Sequence, residues 1–330
     1  MNFETAEKIA AAILYEGYIL YPYRPTAIKN RQRWNFGTLY PRAYAEAQRP
    51  PEPFSFVSEC LLQAGADSKL DLRIRFLQLL RRPSASSRAD ASSQVLTDPS
   101  LEWDEGFVRT ATQSDLRISD LITRPISMDI RFDSAQPAPE DAPVAPPNNV
   151  RAHLTLSVEA LENGSCKLRV ELQNLTPLAK DGAATRDQAL ADSFVSAHML
   201  LGVSGAEFIS LLDPPAQYAA AAAACRNIGV FPVLAGEEGT RTTMLCSPII
   251  LYDYPKIAPE SAGDFFDGTE MDEMLALRVL TLTEQEKQEM RNGDARARLI
   301  LERTESLSEE HLMRVHGAIR GLRQLQEDGQ

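Results

Sequence analysis

The segments HLTLSVEA, residues 153–160, and CKLRVELQNL, residues 166–175, decide the fold that this sequence predicts. In both segments apolar and polar residues alternate, which is the period of a strand that buries one face. The linker LENGS, residues 161–165, contains Asn163-Gly164, and this dipeptide readily adopts the positive φ angles of a tight turn. The sequence therefore predicts an antiparallel β-hairpin.

Strand signatures recur on both sides of this hairpin, in residues 71–79, 126–132, 193–203, 205–213, 228–234 and 243–252. About eight strands of this kind favour a mostly antiparallel, β-sandwich-like core. Helical spacing is confined to the two ends of the chain. It predicts a short N-terminal helix over residues 4–14 and a C-terminal helical segment that starts after the capping-box pair Thr283 and Glu286. We expect an α+β fold.

The chain has 330 residues, of which 44% are apolar, so it is long enough for about two domain-equivalents and a sizeable core. We expect residues 1–50 to pack on a β-sandwich-like domain over residues 51–258, followed by the helical segment over residues 259–330. Residues 83–100 and 134–149 are rich in Pro, Ser, Ala and Asp. Because they bury too little to offset the entropy of ordering, they are predicted to be mobile surface loops.

The formal net charge of −12 disfavours general binding to nucleic acids or anionic membranes. The four cysteines lie far apart, with no Cys-x-x-Cys pair, so neither a disulfide scaffold nor a zinc site is indicated. The start of the chain is acidic and no apolar run is long enough to cross a bilayer. We expect a cytoplasmic protein without membrane insertion, bound metal or cofactor.

Residues 15–44 hold 8 of the 23 aromatic residues, and five basic residues against the single acid Glu16. Rings combined with guanidinium groups are typical of binding hot spots, so this segment predicts a partner-binding surface. Two alternatives stay open: the side chains pack against the core, or they stack on single-stranded nucleic acid, which the net charge disfavours. The predicted partner-binding residues are Tyr21, Tyr23, Arg24, Lys29, Arg31, Arg33 and Trp34.

The usual motifs of hydrolases, nucleotide-binding proteins and zinc proteases are missing, so the sequence favours a protein that is not an enzyme. His153 and His198 fall in predicted strands, where structural imidazoles are expected rather than catalytic bases. An enzyme with an unusual site remains an alternative, because a guanidinium beside a solvent-facing thiol lowers the thiol pKa. A buried structural cysteine is the competing interpretation. The residues of that alternative site are Cys225, Arg226, Glu237, Glu238 and Arg241.

Four blocks of the chain resemble a family encoded beside nickel-iron hydrogenase genes in aerobic bacteria. They are YEGYILYPYRPTAIKNRQRWNFGTLYP (15–41), ACRNIGVFPVLAGEEGTR (224–241), SPIILYDYPKIAPES (247–261) and GDFFDGTEMDEMLALRVLTLTEQEK (263–287). The resemblance implies a non-enzymatic accessory or assembly factor that binds a hydrogenase subunit or a maturation protein. It supplies no catalytic residue.

Overall fold

The structure is a computed structural model, and it describes residues 3–14, 37–82, 103–133, 148–161, 164–178, 184–256, 279–291, 298, 301–302 and 304–306. The described residues divide into two compact units, the first ending at Pro255 and the second starting at Lys256. The predicted division into residues 1–50, 51–258 and 259–330 stays a prediction.

The larger unit is built on one antiparallel sheet, to which the described residues contribute eight strands. They are β1 Ser55–Arg82, β2 Trp103–Arg117, β3 Ile126–Phe132, β4 Val150–Ala160, β5 Ser165–Asn174, β6 Val195–Ile209, β7 Phe231–Leu234 and β8 Thr243–Ser247. Their order is β3-β4-β5-β1-β6-β8-β7, and β2 also pairs with β1. The antiparallel, β-rich core and the hairpin of β4 and β5 are thus confirmed.

The helices of the described residues are short. They are α1 Glu4–Leu14, α2 Arg42–Ala47, α3 Ile118–Thr123, α4 Arg186–Ala191, α5 Ala219–Ala223, which follows a 3₁₀ turn over Ala216–Tyr218, and α6 Glu284–Arg291. The predicted N-terminal helix is confirmed as α1, and α6 begins one residue after Thr283. A helical segment over residues 259–330 as a whole stays a prediction. The predicted loop over residues 83–100 and residues 134–147 of the loop predicted over 134–149 lie outside the described residues.

The long strand β1 changes partner along its length. Its first part, residues 55–63, pairs with β5, and residues 69–82 pair with β2 on the same edge, because β6 occupies the opposite edge beside both parts. Between them the register with β6 shifts from Ala64 to Lys69. There Ser68 Oγ accepts a hydrogen bond from the Gly65 N–H at 2.8 Å and donates one to the Gly205 carbonyl at 2.5 Å.

This exchange of partners lets one continuous sheet pack against itself. Phe76 of β1 is not hydrogen-bonded to β3, yet its ring centroid lies 4.9 Å from that of Phe132 in β3 and 4.3 Å from that of Phe194. All three rings belong to a single apolar core that draws on β1, β3, β4, β5, β6 and β8. The two layers expected of a sandwich therefore come from one sheet and not from two separate ones.

Candidate functional site

A chain of hydrogen bonds joins a serine, a histidine and an aspartate on the outer face of β3 and β4. Ser127 Oγ lies 2.9 Å from His153 Nε2, and His153 Nδ1 lies 2.8 Å from Asp129 Oδ1. In the register of the two strands Asp129 stands directly opposite His153, and Ser127 stands two residues before Asp129. These three residues form what we call the β3–β4 triad.

Strand alternation explains why these side chains meet. Successive side chains of a strand point to opposite faces, and in β3 every second residue, Ser127, Asp129 and Arg131, is exposed while its neighbours are more buried. On β4, the inward residues Ala152 and Leu154 are fully buried, so His153 faces outward. Directly opposite residues on one face have Cβ atoms about 5 Å apart, within reach of a hydrogen bond.

The carboxylate of Asp129 is held from two sides. His153 bonds Oδ1, and the Arg151 guanidinium bonds Oδ2. These hydrogen bonds, first from His153 and then from Arg151, lower the pKa of Asp129. An ionised carboxylate only accepts hydrogen bonds, so Nδ1 of His153 carries the proton. In the neutral imidazole Nε2 is then the acceptor and the Ser127 hydroxyl donates to it.

A cleft of about 660 Å³ adjoins Ser127 at the start of β3. Arg117 and Arg124, which flank α3, contribute exposed guanidinium groups to its lining. Asp115 also lines the cleft, but its carboxylate is paired with Lys69 Nζ at 2.8 Å. The complete lining consists of Asp115, Leu116, Arg117, Asp120, Leu121, Arg124, Pro125, Ile126 and Ser127.

Cys225, the proposed thiol of the alternative site, is half-buried after α5 and lies near Glu59 of β1. Burial, and next the Glu59 carboxylate, raise the pKa of the Cys225 thiol to about 11. The expected lowering of this pKa by Arg226 is therefore not found; the cation that opposes the burial of the thiol is Lys167, and burial outweighs it. The Arg226 backbone N–H donates to Glu59 Oε2 at 2.8 Å, while Arg169 Nη1 donates to Glu59 Oε1 at 2.8 Å. The thiol is thus protonated at neutral pH.

The other members of that alternative site lie at the turn between β7 and β8. The Thr240 N–H and hydroxyl both donate to the Glu237 carbonyl, and the Arg241 carbonyl accepts from the Phe208 N–H at 2.7 Å. Glu237, Glu238 and Arg241 are all exposed. Cys225 and Arg226 lie instead beside Glu59. A joint site of these five residues stays a prediction.

The predicted partner-binding residues Tyr21, Tyr23, Arg24, Lys29, Arg31, Arg33 and Trp34 lie outside the described residues. Only the end of the aromatic and basic segment is described. There Tyr40 and Tyr44 are buried, with ring centroids 5.3 Å apart, in a cluster with Leu14 and Leu77. For these two rings the alternative of packing against the core is correct.

Several exposed apolar side chains lie on β7, on the segment before it, and on the segments that follow β6 and β8; we call this set the β7 surface. Phe231 of β7 pairs with Ser247 of β8, and the chain after Ser247 returns along β7, because the Tyr254 N–H donates to the Leu234 carbonyl. Asp253 in this returning segment is hydrogen-bonded to Ser210, whose Oγ donates to Asp253 Oδ2 at 2.5 Å. The members of the β7 surface are Leu212, Ile228, Phe231, Ile250 and Tyr252.

No family model matches the chain, and no curated protein matches it. Within the described ranges, no group of three or more His, Cys, Asp or Glu side chains is arranged to hold a metal ion. In the same part of the chain, no helix has the length and apolar character needed to cross a membrane.

The sequence reasoning missed Ser127 and Asp129 as site residues. A usable signal was present: the two residues are spaced by two within a predicted strand, so they share a face. The partner strand was also predicted, with His153 in it. What the sequence does not state is that these two strands are neighbours.

Proposed function

We propose that this protein is a cytoplasmic accessory or assembly factor for a nickel-iron hydrogenase, and that it acts by binding another protein. The observation that supports protein binding is the β7 surface. The identity of the partner, a hydrogenase subunit or a maturation protein, is supported by the resemblance of the four sequence blocks alone.

Two of those four blocks, residues 224–241 and 247–261, contribute most of the β7 surface. Ile228, Ile250 and Tyr252 are 61%, 75% and 87% exposed. Full burial of one large apolar side chain contributes about 1.5–3 kcal/mol, and grouped exposed apolar side chains are typical of interaction sites. An exposed tyrosine adds a ring with a polar tip, which is common among binding hot spots. The composition of this surface therefore supports a protein partner.

The backbone of β7 favours recognition by side chains over the addition of a strand. The Ala235 N–H bonds the Thr243 carbonyl, so by alternation Pro232 and Leu234 direct their backbone groups away from β8. Pro232 has no N–H, and the Leu234 N–H already donates to Asp253 Oδ1 at 2.8 Å. An incoming strand would find no free donor at these two positions, so the partner is expected to contact the apolar side chains.

The test is affinity capture from the native host, with quantification of the retained proteins by mass spectrometry. We expect the wild-type chain to retain a hydrogenase subunit or maturation protein. The double variant I250S and Y252S should retain it at least about tenfold less, since each tenfold loss corresponds to about 1.4 kcal/mol. Ile122→Ser, which alters a residue 41% exposed on α3, is the matched control and should retain the partner.

The proposal is wrong if the wild-type chain retains no such protein and hydrogenase activity survives deletion of the gene. Equal retention by the double variant and the wild type would remove the β7 surface from the proposal.

Two other functions stay predictions. An enzyme with a site around Cys225 and Glu237 predicts that Cys225→Ala abolishes a biological output without changing stability; the raised pKa of the thiol argues against a nucleophile there. Binding of single-stranded nucleic acid through residues 15–44 predicts an affinity that falls steeply with salt.

A further inference from the structure

We infer that Ser127, His153 and Asp129 act as a catalytic triad for acyl transfer, and that they hydrolyse small carboxylic esters bound in the adjacent cleft. The inference is independent of the proposed hydrogenase role. The first observation is the order of the hydrogen-bonded groups. The Ser127 hydroxyl lies 2.9 Å from His153 Nε2, and His153 Nδ1 lies 2.8 Å from the Asp129 carboxylate. In acyl-transfer enzymes of unrelated folds this same order is recognised by geometry and not by sequence position.

The proton positions in the triad suit a nucleophile and its base. Asp129 holds the proton on Nδ1 of His153, so the Nε2 lone pair faces the Ser127 hydroxyl. Arg151 binds the other oxygen of Asp129 and fixes the direction of the carboxylate. Arg151 is therefore a positioning residue, because it acts on the imidazole only through Asp129.

Ser127 is open to a substrate. It is exposed, and it is one of the residues that line the cleft of about 660 Å³. That volume lies within the range of small-molecule sites, which is about 300–1,000 Å³. The cleft next to Ser127 is therefore large enough for a small ester.

The strand register provides a donor for the oxyanion. The Leu161 N–H bonds the Ser165 carbonyl and the Leu175 N–H bonds the Arg151 carbonyl, so odd-numbered residues of β4 bond β5. Even-numbered residues of β4 then bond β3, and their partners in β3 are also even-numbered. The backbone N–H of Ser127 is directed away from β4, outside this ladder. The N–H of the nucleophilic residue itself is a known oxyanion donor.

The reaction balances with water alone. The Ser127 Oγ–H proton moves to His153 Nε2 while Oγ forms a bond to the carbonyl carbon. The tetrahedral intermediate then breaks its bond to the alkoxy group, which takes the proton from Nε2 and leaves as the alcohol. Water next gives a proton to Nε2 and attacks the acyl carbon, the Oγ–C bond breaks, and Oγ recovers the proton. The products are one carboxylic acid and one alcohol.

The experiment measures initial rates of p-nitrophenyl acetate hydrolysis by the purified full chain, together with labelling by a fluorophosphonate probe and mapping of the labelled peptide. We expect hydrolysis above the buffer rate and a label on Ser127. S127A and H153Q should lose about 100-fold or more of the enzyme-dependent rate, since a positioned base contributes about 10²–10⁴-fold. D129N should also lose activity, because the asparagine no longer fixes the proton of His153 on Nδ1.

Thr155→Ala is the matched control, because Thr155 stands opposite Ser127 in the register but outside the triad. It should keep the wild-type rate. Thermal melting checks that S127A is folded; if it is not, H153Q carries the test. A wild-type chain that neither hydrolyses the ester nor takes the label on Ser127 overturns the inference, and so does a folded S127A or H153Q that retains the wild-type rate.

Discussion

His198 is a fully buried imidazole in β6. Its Nδ1 lies 2.8 Å from the Ser196 carbonyl, while Nε2 is buried without a hydrogen-bond partner. Burial lowers the pKa of His198 to about 4, against an opposing contribution from the Ser196 carbonyl, and Arg75 lowers it further. The side chain is therefore neutral in the folded protein at neutral pH.

This shift predicts a loss of stability in mild acid. The folded-state pKa lies below the ordinary value of 6.5, so the unfolded chain binds the proton first. The contribution of the neutral His198 imidazole to the free energy of unfolding is fully present above pH 6.5 and is lost as the pH falls toward 4. The loss is about 1.4 kcal/mol per pH unit, and about 3 kcal/mol in all.

Urea unfolding between pH 7.5 and 4.5 measures this effect. The variant His198→Gln should show a shallower fall in the free energy of unfolding over this range than the wild type. Equal slopes for the wild type and His198→Gln would contradict the assignment.

For the β3–β4 triad, the sequence predicts the strands that carry the residues but not the pairing of those strands. The strand over residues 126–132 was predicted with its correct bounds, and residues 153–160 lie within β4. Alternation then places Ser127 and Asp129 on one face. The hydrogen bonds to His153 need the pairing of two strands separated by residues 133–149, and alternation within a strand does not specify its neighbour.

At the scale of elements, the register shift of β1 between Ala64 and Lys69, which we call the bend, marks the point before which β1 pairs with β5 and after which it pairs with β2. At the bend, the Ser68 hydroxyl accepts a hydrogen bond from the Gly65 N–H and donates one to the Gly205 carbonyl. Gly205 has a φ of +68°, a backbone conformation that favours glycine. Its position opposite Ser68 lets β6 follow the bend.

We predict that Ser68→Ala lowers the free energy of unfolding by about 1–3 kcal/mol, because the Gly65 N–H and the Gly205 carbonyl both lose their partner. Chemical denaturation measures the change. Ser204→Ala is the matched control: Ser204 pairs with Lys69 beside the bend but is exposed, and its change is expected within about 0.5 kcal/mol. A similar small effect for Ser68→Ala would show that the bend does not need the hydroxyl.

The strands that sequence reasoning missed have a physical explanation. The first part of β1, residues 55–70, was not predicted, and neither was β2. In β1 both faces become buried where it has partners on both edges, with Leu61 and Leu62 fully buried, so alternation is lost. β2 is largely polar and exposed, so its apolar signal is weak. β2 forms because β1 offers it a hydrogen-bonding edge, and the first part of β1 forms beside β5 and the end of β6.

At the scale of the whole molecule, the division after Pro255 predicts that the first unit folds alone. That unit contains all eight strands of the described residues and the apolar core between them, and a unit with its own apolar core is able to fold independently. We expect a chain of residues 1–255 to unfold in one cooperative transition. Its circular dichroism should show β-structure, and its near-ultraviolet signal should show fixed aromatic packing.

Residues 256–330 on their own provide the comparison for this truncation. A truncated chain that binds a hydrophobic dye and lacks a cooperative transition would show that the first unit requires the rest of the protein.

The sequence by itself determined the antiparallel β-rich character of the core, the N-terminal helix and the hairpin of β4 and β5, since each follows from local periodicity and turn chemistry. Only the tertiary structure decided that one bent strand, β1, joins both layers, that Cys225 is a protonated thiol beside Glu59, and that Ser127 and Asp129 meet His153. Those outcomes depend on contacts between residues far apart in the chain. Burial and strand pairing create such contacts, and neither is encoded in any one segment.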